Sequence, residues 1–348
     1  MKKSWRLLTA LIASVTLMLT GCGAGFGGIN LDRVGEEGTV TYLKIALNQT
    51  ESHPSYKALV KFGEDIEQAT DGRYRVEVFP NEQLGSQQEV LQLVKSGAIE
   101  MAIVSGTQLE NVNKDFQVLN MPTTFSSVDH QMAVLKDEAI VGDIFHSLEK
   151  SNNITVLGGY TQGSRSIYTT FGPVKTPADL GGKKIRVQES DMHIRMIQLM
   201  GGSATPLSYG EVYSALQAGV LDGAENNEVS YNTARHMEVA PYFSNTRHLV
   251  GLDYMIMRAD LLNAMPEADR KIFYDAWYKS MDYHTQLWKE YTQESIEIAK
   301  KNGAHFSDVD EAAFAEALAP IKDEFLKSDY QRDLYEKIRA KEAEVEQR

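Results

Sequence analysis

Polar and apolar positions change period several times along the chain. Lys2, Lys3 and Arg6 precede an uncharged run from Leu7 to Leu19. That run is too short for a comfortable bilayer span but has the length of a signal-peptide core. Residues 41–47 alternate and predict a strand. Over 54–69, Tyr56, Leu59, Val60 and Ile66 share one face and predict a helix, with Ser52 as its cap and Pro54 in the first turn. Residues 73–79 alternate strictly, with Tyr74, Val76 and Val78 on one side. Residues 86–96 read as a helix stopped at Gly97, and 101–104 as a short buried strand. This β-α-β-α-β series predicts a parallel sheet with helices on its faces.

After a further helical stretch the pattern restarts. Strands are predicted near 154–158, 166–171 and 184–187, and another near Asp222. One helix carries Met192, Met196, Ile197 and Met200, a spacing that suits core packing, and another spans 209–218. Residues 247–258 alternate over a length that suits a strand passing between domains. Between Pro266 and Gly303 there is neither proline nor glycine, which predicts a helix over 266–302. Such a helix is long enough to brace two lobes; the alternative is two helices with a bend near Tyr283.

Composition narrows the class. With 348 residues, 43% of them hydrophobic and 24% charged, the chain can build two packed domains. It holds 35 Lys and Arg against 48 Asp and Glu, and three of the basic residues lie in the leader; without it the balance is 32 against 48, or −16. A surface so acidic repels phosphate backbones, so nucleic acid is excluded as a partner. The single cysteine, Cys22, rules out a disulfide framework and cysteine-based zinc sites. It ends Leu19-Thr20-Gly21-Cys22, which resembles a bacterial lipobox; an ordinary signal peptide with an incidental cysteine is the alternative. Residues 1–21 are then a signal peptide, and 22–40 a lipidated cysteine and flexible tether. Two acyl chains on Cys22 suffice for stable anchoring. The expected location is the outer face of the cytoplasmic membrane or the periplasm. Gly23-Ala-Gly25-Phe-Gly27-Gly28 matches a dinucleotide fingerprint in letters only, since it follows no strand and opens no helix.

Catalytic signatures are missing. There is no G-x-S-x-G elbow, no H-E-x-x-H helix and no P-loop, and the eight histidines are scattered without ligand spacing. Neither an enzyme, nor a cofactor, nor a metal is expected. Glu225 and Glu228, three apart, read as a solvated face. The segment that stands out runs from Gly181-Gly-Lys-Lys-Ile-Arg186-Val-Gln-Glu189-Ser through Gly201-Gly-Ser-Ala-Thr-Pro206 to Tyr209-Gly-Glu-Val-Tyr and Asp222-Gly-Ala-Glu225-Asn226-Asn227. Arg186 sits within a short apolar strand, where a charge is costly unless compensated. It either meets an anionic ligand or pairs with an internal acid such as Glu225.

This segment resembles the signature of the DctP family, the substrate-binding proteins of tripartite ATP-independent periplasmic (TRAP) transporters. Tyr74-Arg-Val-Glu-Val-Phe-Pro-Asn-Glu-Gln-Leu-Gly85 and Gln162-Gly-Ser-Arg165 carry the likeness across nearly all of the chain beyond the leader. The resemblance implies an α/β, two-lobed periplasmic-binding-protein-like fold of type II character, with crossing hinge strands near Gln162 and Leu252 and the long helix bracing both lobes. Lobe I is expected from 41–162 plus 252–291, and lobe II from 163–251 plus 292–348. It further implies that Arg186 pairs with a ligand carboxylate, that Arg165 assists, and that Asn226, Tyr209 and Asn48 line the pocket. Arg-Val-Gln-Glu189-Ser, Gly-Ala-Glu-Asn-Asn and His53-Pro54 resemble the hexuronate branch. There Glu189, and with it His53, accepts hydrogen bonds from sugar hydroxyls, and the Glu189 charge repels dicarboxylates; the alternative has Glu189 in solvent. The implied partners are a sugar-acid anion and the membrane permease subunits. A C4-dicarboxylate binder is the nearest other reading, and a secreted sugar-acid enzyme or a sensor module more distant ones.

Overall fold

The computed structural model describes residues 29–346. The signal segment, Cys22 and the first part of the tether lie outside them. Nine strands among the described residues form one mixed sheet: β1 (Thr41–Ala46), β2 (Tyr74–Phe79), β3 (Met101–Ser105), β4 (Ile154–Thr169), β5 (Lys184–Val187), β6 (Ser203–Pro206), β7 (Gly223–Asn226), β8 (Tyr242–Arg258) and β9 (His305–Ser307). Their order is β2-β1-β3-β8-β4-β7-β5-β6, with β9 beside β8. β2-β1-β3 on one side and β7-β5-β6 on the other are parallel. Between them β4 and β8 run antiparallel to each other. β8 pairs with β3 near its C-terminal end, from Ser105↔Asp253 to Met101↔Met257, and with β9 at its N-terminal end. β4 likewise enters the second half of the sheet, pairing with β7 from Ser166↔Asn226 to Thr169↔Gly223. Both long strands therefore belong to both lobes, as the two-lobed reading requires.

One expectation is corrected here. The strands predicted at 154–158 and 166–171 are a single strand of 16 residues. Register shifts between Val156 and Gly158, Thr161 and Ser164, and Arg165 and Ile167 break its alternation, so its period is illegible in sequence. Two glycines in this strand have positive φ, Gly158 (140°) and Gly163 (58°). A Cβ on either would meet an indole nitrogen at 2.5 Å, that of Trp277 or of Trp288. Both tryptophans belong to the long helix, so the glycines let that helix lie directly along the crossing strand.

The first helix, α1 (Pro54–Ala69), is capped by His53, whose Nδ1 accepts the Ser55 N–H at 3.1 Å. Ser52, the expected cap, instead lies 2.8 Å from the Thr50 hydroxyl. In α2 (Gln87–Ser96) Ser86 and Glu89 form a capping box and Gly97 (φ 80°) ends the helix. The segment 209–218 is a short 3-10 turn followed by a helix over Val212–Gln217. The methionines of α3 (Asp191–Leu199) are buried in the core as expected, with Met200 just past its end. A short helix, α4 (Glu228–Thr233), follows β7. The long helix α5 (Glu267–Lys301) is continuous for 35 residues, about 50 Å at 1.5 Å per residue, and is not divided into two helices at Tyr283. Its buried stripe runs Phe273, Ala276, Trp277, Ser280, Met281, His284 and Trp288 at helical spacing. Tyr160 of β4 stacks on both Trp277 and His284, at 4.7 and 4.0 Å between centroids.

Two boundaries also differ from expectation. Residues 31–38 do not hang free: Val34 is buried in the core, and the Gly35 carbonyl accepts from Arg73 Nη1 at 3.3 Å. The last helix, α6 (Asp329–Glu346), expected with lobe II, packs back on residues 114–137 of lobe I. The Ile338 carbonyl lies 2.8 Å from His130 Nε2, and Gln331 donates to Asp115 at 3.0 Å.

Candidate functional site

The two halves of the sheet meet over a cleft. Lobe I contributes the turn after β2, with Glu82, Ser86 and Gln87, together with Gln108; lobe II contributes Arg186, Gln188, Glu189 and the 207–209 segment. The free space left between these residues is only about 20 Å³, so the two walls stand close together here. An adjoining hollow is lined by Asn48, Asn81, Glu82, Tyr209 and His236. The lobes touch around this cleft: Ser105 donates to Gln188 at 2.8 Å, Asn111 to the Glu189 carbonyl at 2.7 Å, and Lys114 pairs with Asp191 at 3.2 Å.

The two arginines are held differently. Arg165, on β4, is buried and donates from Nε and Nη2 to the two carboxylate oxygens of Glu225, each at 2.6 Å. Nη2 also reaches the Glu225 carbonyl at 3.0 Å, and Nη1 reaches Asn226 Oδ1 at 2.8 Å. Glu225 is fully buried rather than part of a solvated face, and His248 Nε2 stands 3.4 Å from its carboxylate. Complete burial alone would raise the Glu225 pKa, but the Arg165 charge and the bonds from His248 and Arg165 hold it well below the usual carboxylate range. Most of Arg165's five N–H groups are thus consumed.

Arg186, on β5, is equally buried, yet among the described residues it forms no ion pair. Only its Nε is engaged, donating to the Leu207 carbonyl at 2.8 Å. Desolvation lowers its pKa, and the Glu225 charge only partly compensates. The internal acid considered as its partner pairs with Arg165 instead. Arg186 therefore keeps its Nη1 and Nη2 groups, a planar two-toothed donor, for the cleft.

Asn226 is oriented by this network. Its Oδ1 accepts from Arg165, from the Asn227 N–H at 2.9 Å and from Asn227 Nδ2 at 3.1 Å. Its acceptor is saturated, and only its amide hydrogens remain for a ligand. Glu189 is half-buried on the cleft wall, and Tyr209 and Glu82 line both hollows. Asn48 lines the second hollow, and its Oδ1 is buried without a partner. His53 does not reach either hollow. It is fully buried, its Nδ1 is committed to the helix cap, and Trp288 meets its ring edge-on at 5.7 Å. Burial lowers its pKa to about 3, so it is neutral.

Several buried polar groups, of which Glu82 lines the cleft, were not singled out as site residues from the sequence. Glu82 Oε1, Thr107 Oγ1, Gln162 Nε2 and Asp253 Oδ2 are all buried without partners. Burial raises the Asp253 pKa to about 7, although Arg165 opposes this. Glu82 and Gln162 left a trace in the sequence, in the motif around Pro80 and in the one ending at Arg165; Thr107 and Asp253 read as ordinary helix and strand residues.

Two α/β lobes joined by shared strands, closing over an arginine with an uncommitted guanidinium face, define a binding protein for a small anionic solute. The chain belongs to the DctP family: the family model for bacterial extracellular solute-binding protein, family 7, matches residues 45–329. It is 36% identical to a TRAP periplasmic solute-binding protein from Anaerococcus prevotii solved with bound α/β-D-glucuronate, with a TM-score of 0.85 over 87% of this chain and 99% of that one. It is 32% identical to one from Xanthobacter autotrophicus with bound β-D-galacturonate, with a TM-score of 0.81 over 86% and 99%. A solute-binding protein of Chromohalobacter salexigens is 35% identical over 276 residues, 79% of this chain and 82% of that protein. The family resemblance read from the sequence is borne out. No helix among the described residues is long and apolar enough to cross a membrane.

Proposed function

We propose that this chain captures a hexuronate such as glucuronate or galacturonate outside the cytoplasm and delivers it to the membrane subunits of a TRAP transporter, held to the membrane by lipid on Cys22. The observation that carries the ligand class is the contrast between the arginines. Arg186 offers a desolvated pair of Nη donors matched to a carboxylate. Arg165, locked by Glu225, contributes what N–H capacity remains and fixes the Asn226 amide as a donor. Around them Glu82, Gln108, Gln188, Glu189 and Tyr209 present oxygens suited to hydroxyl hydrogens. A site of this kind penalises analogues that leave its buried polar groups unpaired.

The crossing strands β4 and β8 form the hinge. The ligand favours the closed arrangement because it touches both lobes, and closure is what the permease senses. The site binds without converting: nothing in this reading calls for a turnover step. The test is calorimetric titration of the purified protein with glucuronate, galacturonate and succinate. Binding of a sugar acid much tighter than succinate is expected. Tight succinate binding without sugar-acid binding overturns the reading in favour of a dicarboxylate carrier, and consumption of the sugar acid overturns it in favour of an enzyme.

A further inference from the structure

The turn between β2 and α2 is built in an unusual way. Asn81 and Glu82 both have left-handed backbone, with φ of 56° and 55°. Neither is glycine, so consecutive residues there are disfavoured unless the surroundings hold them. They are held: the Asn81 N–H donates to the Gln49 carbonyl at 2.9 Å and the Glu82 N–H to the Leu47 carbonyl at 3.2 Å, which ties the turn to the end of β1. The result aims a carboxylate from lobe I across the cleft. One oxygen, Oε2, lies against Gly210 of lobe II, so close that a Cβ there would come within 2.5 Å of it. The other, Oε1, is shut off from solvent and has no partner. Burial raises the Glu82 pKa, while a backbone hydrogen bond from Gly210 and the charge of Arg186, on the opposite wall of the same cleft but not in an ion pair with it, oppose this. Glu211 and Glu89 are the other charges that act on it.

Resting on the hexuronate reading, we propose that Glu82 is the residue that selects a hydroxyl-bearing monocarboxylate over a dicarboxylate, and that the same side chain latches the lobes through Gly210. A ligand carboxylate on the Nη groups of Arg186 leaves the far end of the molecule facing Glu82 Oε1. A hydroxyl there donates to it, whereas a second carboxylate meets a like charge with no solvent between. Glu189, the acid singled out in the sequence, has its backbone carbonyl tied to Asn111 and lines the same wall as Arg186 rather than the facing one.

The two roles separate experimentally. In Glu82→Gln the shape is kept and the charge removed. Glucuronate affinity is expected to fall about tenfold, because a charge-assisted hydrogen bond becomes a neutral one, and succinate affinity to rise about tenfold as repulsion is relieved. Gly210→Ala pushes the same carboxylate aside with its charge intact, so both ligands should weaken while the preference for glucuronate over succinate is kept. Calorimetry on parent and variants, with circular dichroism to show native folding, reads all of this. A glucuronate-to-succinate ratio in Glu82→Gln within about threefold of the parent's overturns the filter while leaving the hexuronate reading intact. A Gly210→Ala protein that shifts the ratio overturns the separation of latch from filter. A parent that binds no sugar acid overturns the functional reading, and the filter with it.

Discussion

Arg165 and Arg186 are both buried, both on strands and both beside the cleft, yet the structure assigns opposite signs to their removal. In Arg165→Met, Glu225 is left fully buried with only His248 at 3.4 Å. Breaking a buried pair in this way costs roughly 3–5 kcal/mol. In Arg186→Met no carboxylate is abandoned, since Arg186 makes no ion pair among the described residues. What is lost is one hydrogen bond to the Leu207 carbonyl, about 1 kcal/mol. What is gained is relief from a buried charge that Glu225 compensates only in part, and burying such a charge costs several kcal/mol even after relaxation. The expected balance is a gain of about 1–2 kcal/mol in the ligand-free protein. Binding should meanwhile fall by roughly 2–5 kcal/mol, and Arg186→Lys should restore only part of it because an ammonium has no two-toothed face. Urea unfolding without ligand gives the stabilities, and titration with glucuronate gives the affinities. If Arg186→Met is destabilised as much as Arg165→Met, Arg186 is a structural charge and its assignment to the ligand fails.

Other expectations follow from the same geometry. His53, His193 and His236 are held near pKa 3 and His284 well below its ordinary value, chiefly by burial, so the unfolded chain takes up protons there below about pH 6.5 and stability falls with acidification. Glu110 and Asp253, raised to about 7 by burial, act oppositely, contributing stability at low pH that is lost as pH rises through 7. Burial raises Glu82, Glu100 and Glu228 in the same sense, so part of the histidine proton uptake is offset and stability should still fall from pH 7 to 5; a flat or rising profile in urea melts over that range would contradict it. Gly163→Ala puts a methyl 2.5 Å from Trp288 Nε1 at φ 58° and should cost about 2 kcal/mol or more in unfolding free energy, because neither the helix nor the strand can retreat alone. Scattering at saturating glucuronate should show a smaller radius of gyration than the ligand-free protein, and an unchanged radius would argue against hinge closure.

Local signals were sufficient for much of this protein. The bounds of α1, α2, β5 and α5 come from caps, glycine stops, an apolar run and a long interval without helix breakers, all of which act within a few residues. The arginine in Lys-Ile-Arg-Val is costly on its strand whatever the fold, so the local sequence already demands a compensating partner for Arg186. The family motifs likewise read through, because they sit at turns and strand ends where backbone geometry restricts the residue.

Tertiary structure decided which partner each of these groups meets. No spacing tells that Glu225 belongs to Arg165 and not to Arg186, because β7 lies between β4 and β5 in the sheet and the choice depends on which neighbour its side chain faces. His53 reads as a cleft residue beside Pro54, but packing turns it inward as a helix cap. The bulges of β4 erase its alternation, so its continuity through both lobes appears only when β8 is seen beside it. Glu82 faces Arg186 solely because the crossing strands bring a turn of one lobe and a strand of the other, at positions 104 residues apart, to the same cleft. Propensity and capping are energies of neighbours in sequence; ion pairing, burial and the choice of ligand are energies of neighbours in space, and the chain has those only once both lobes are folded.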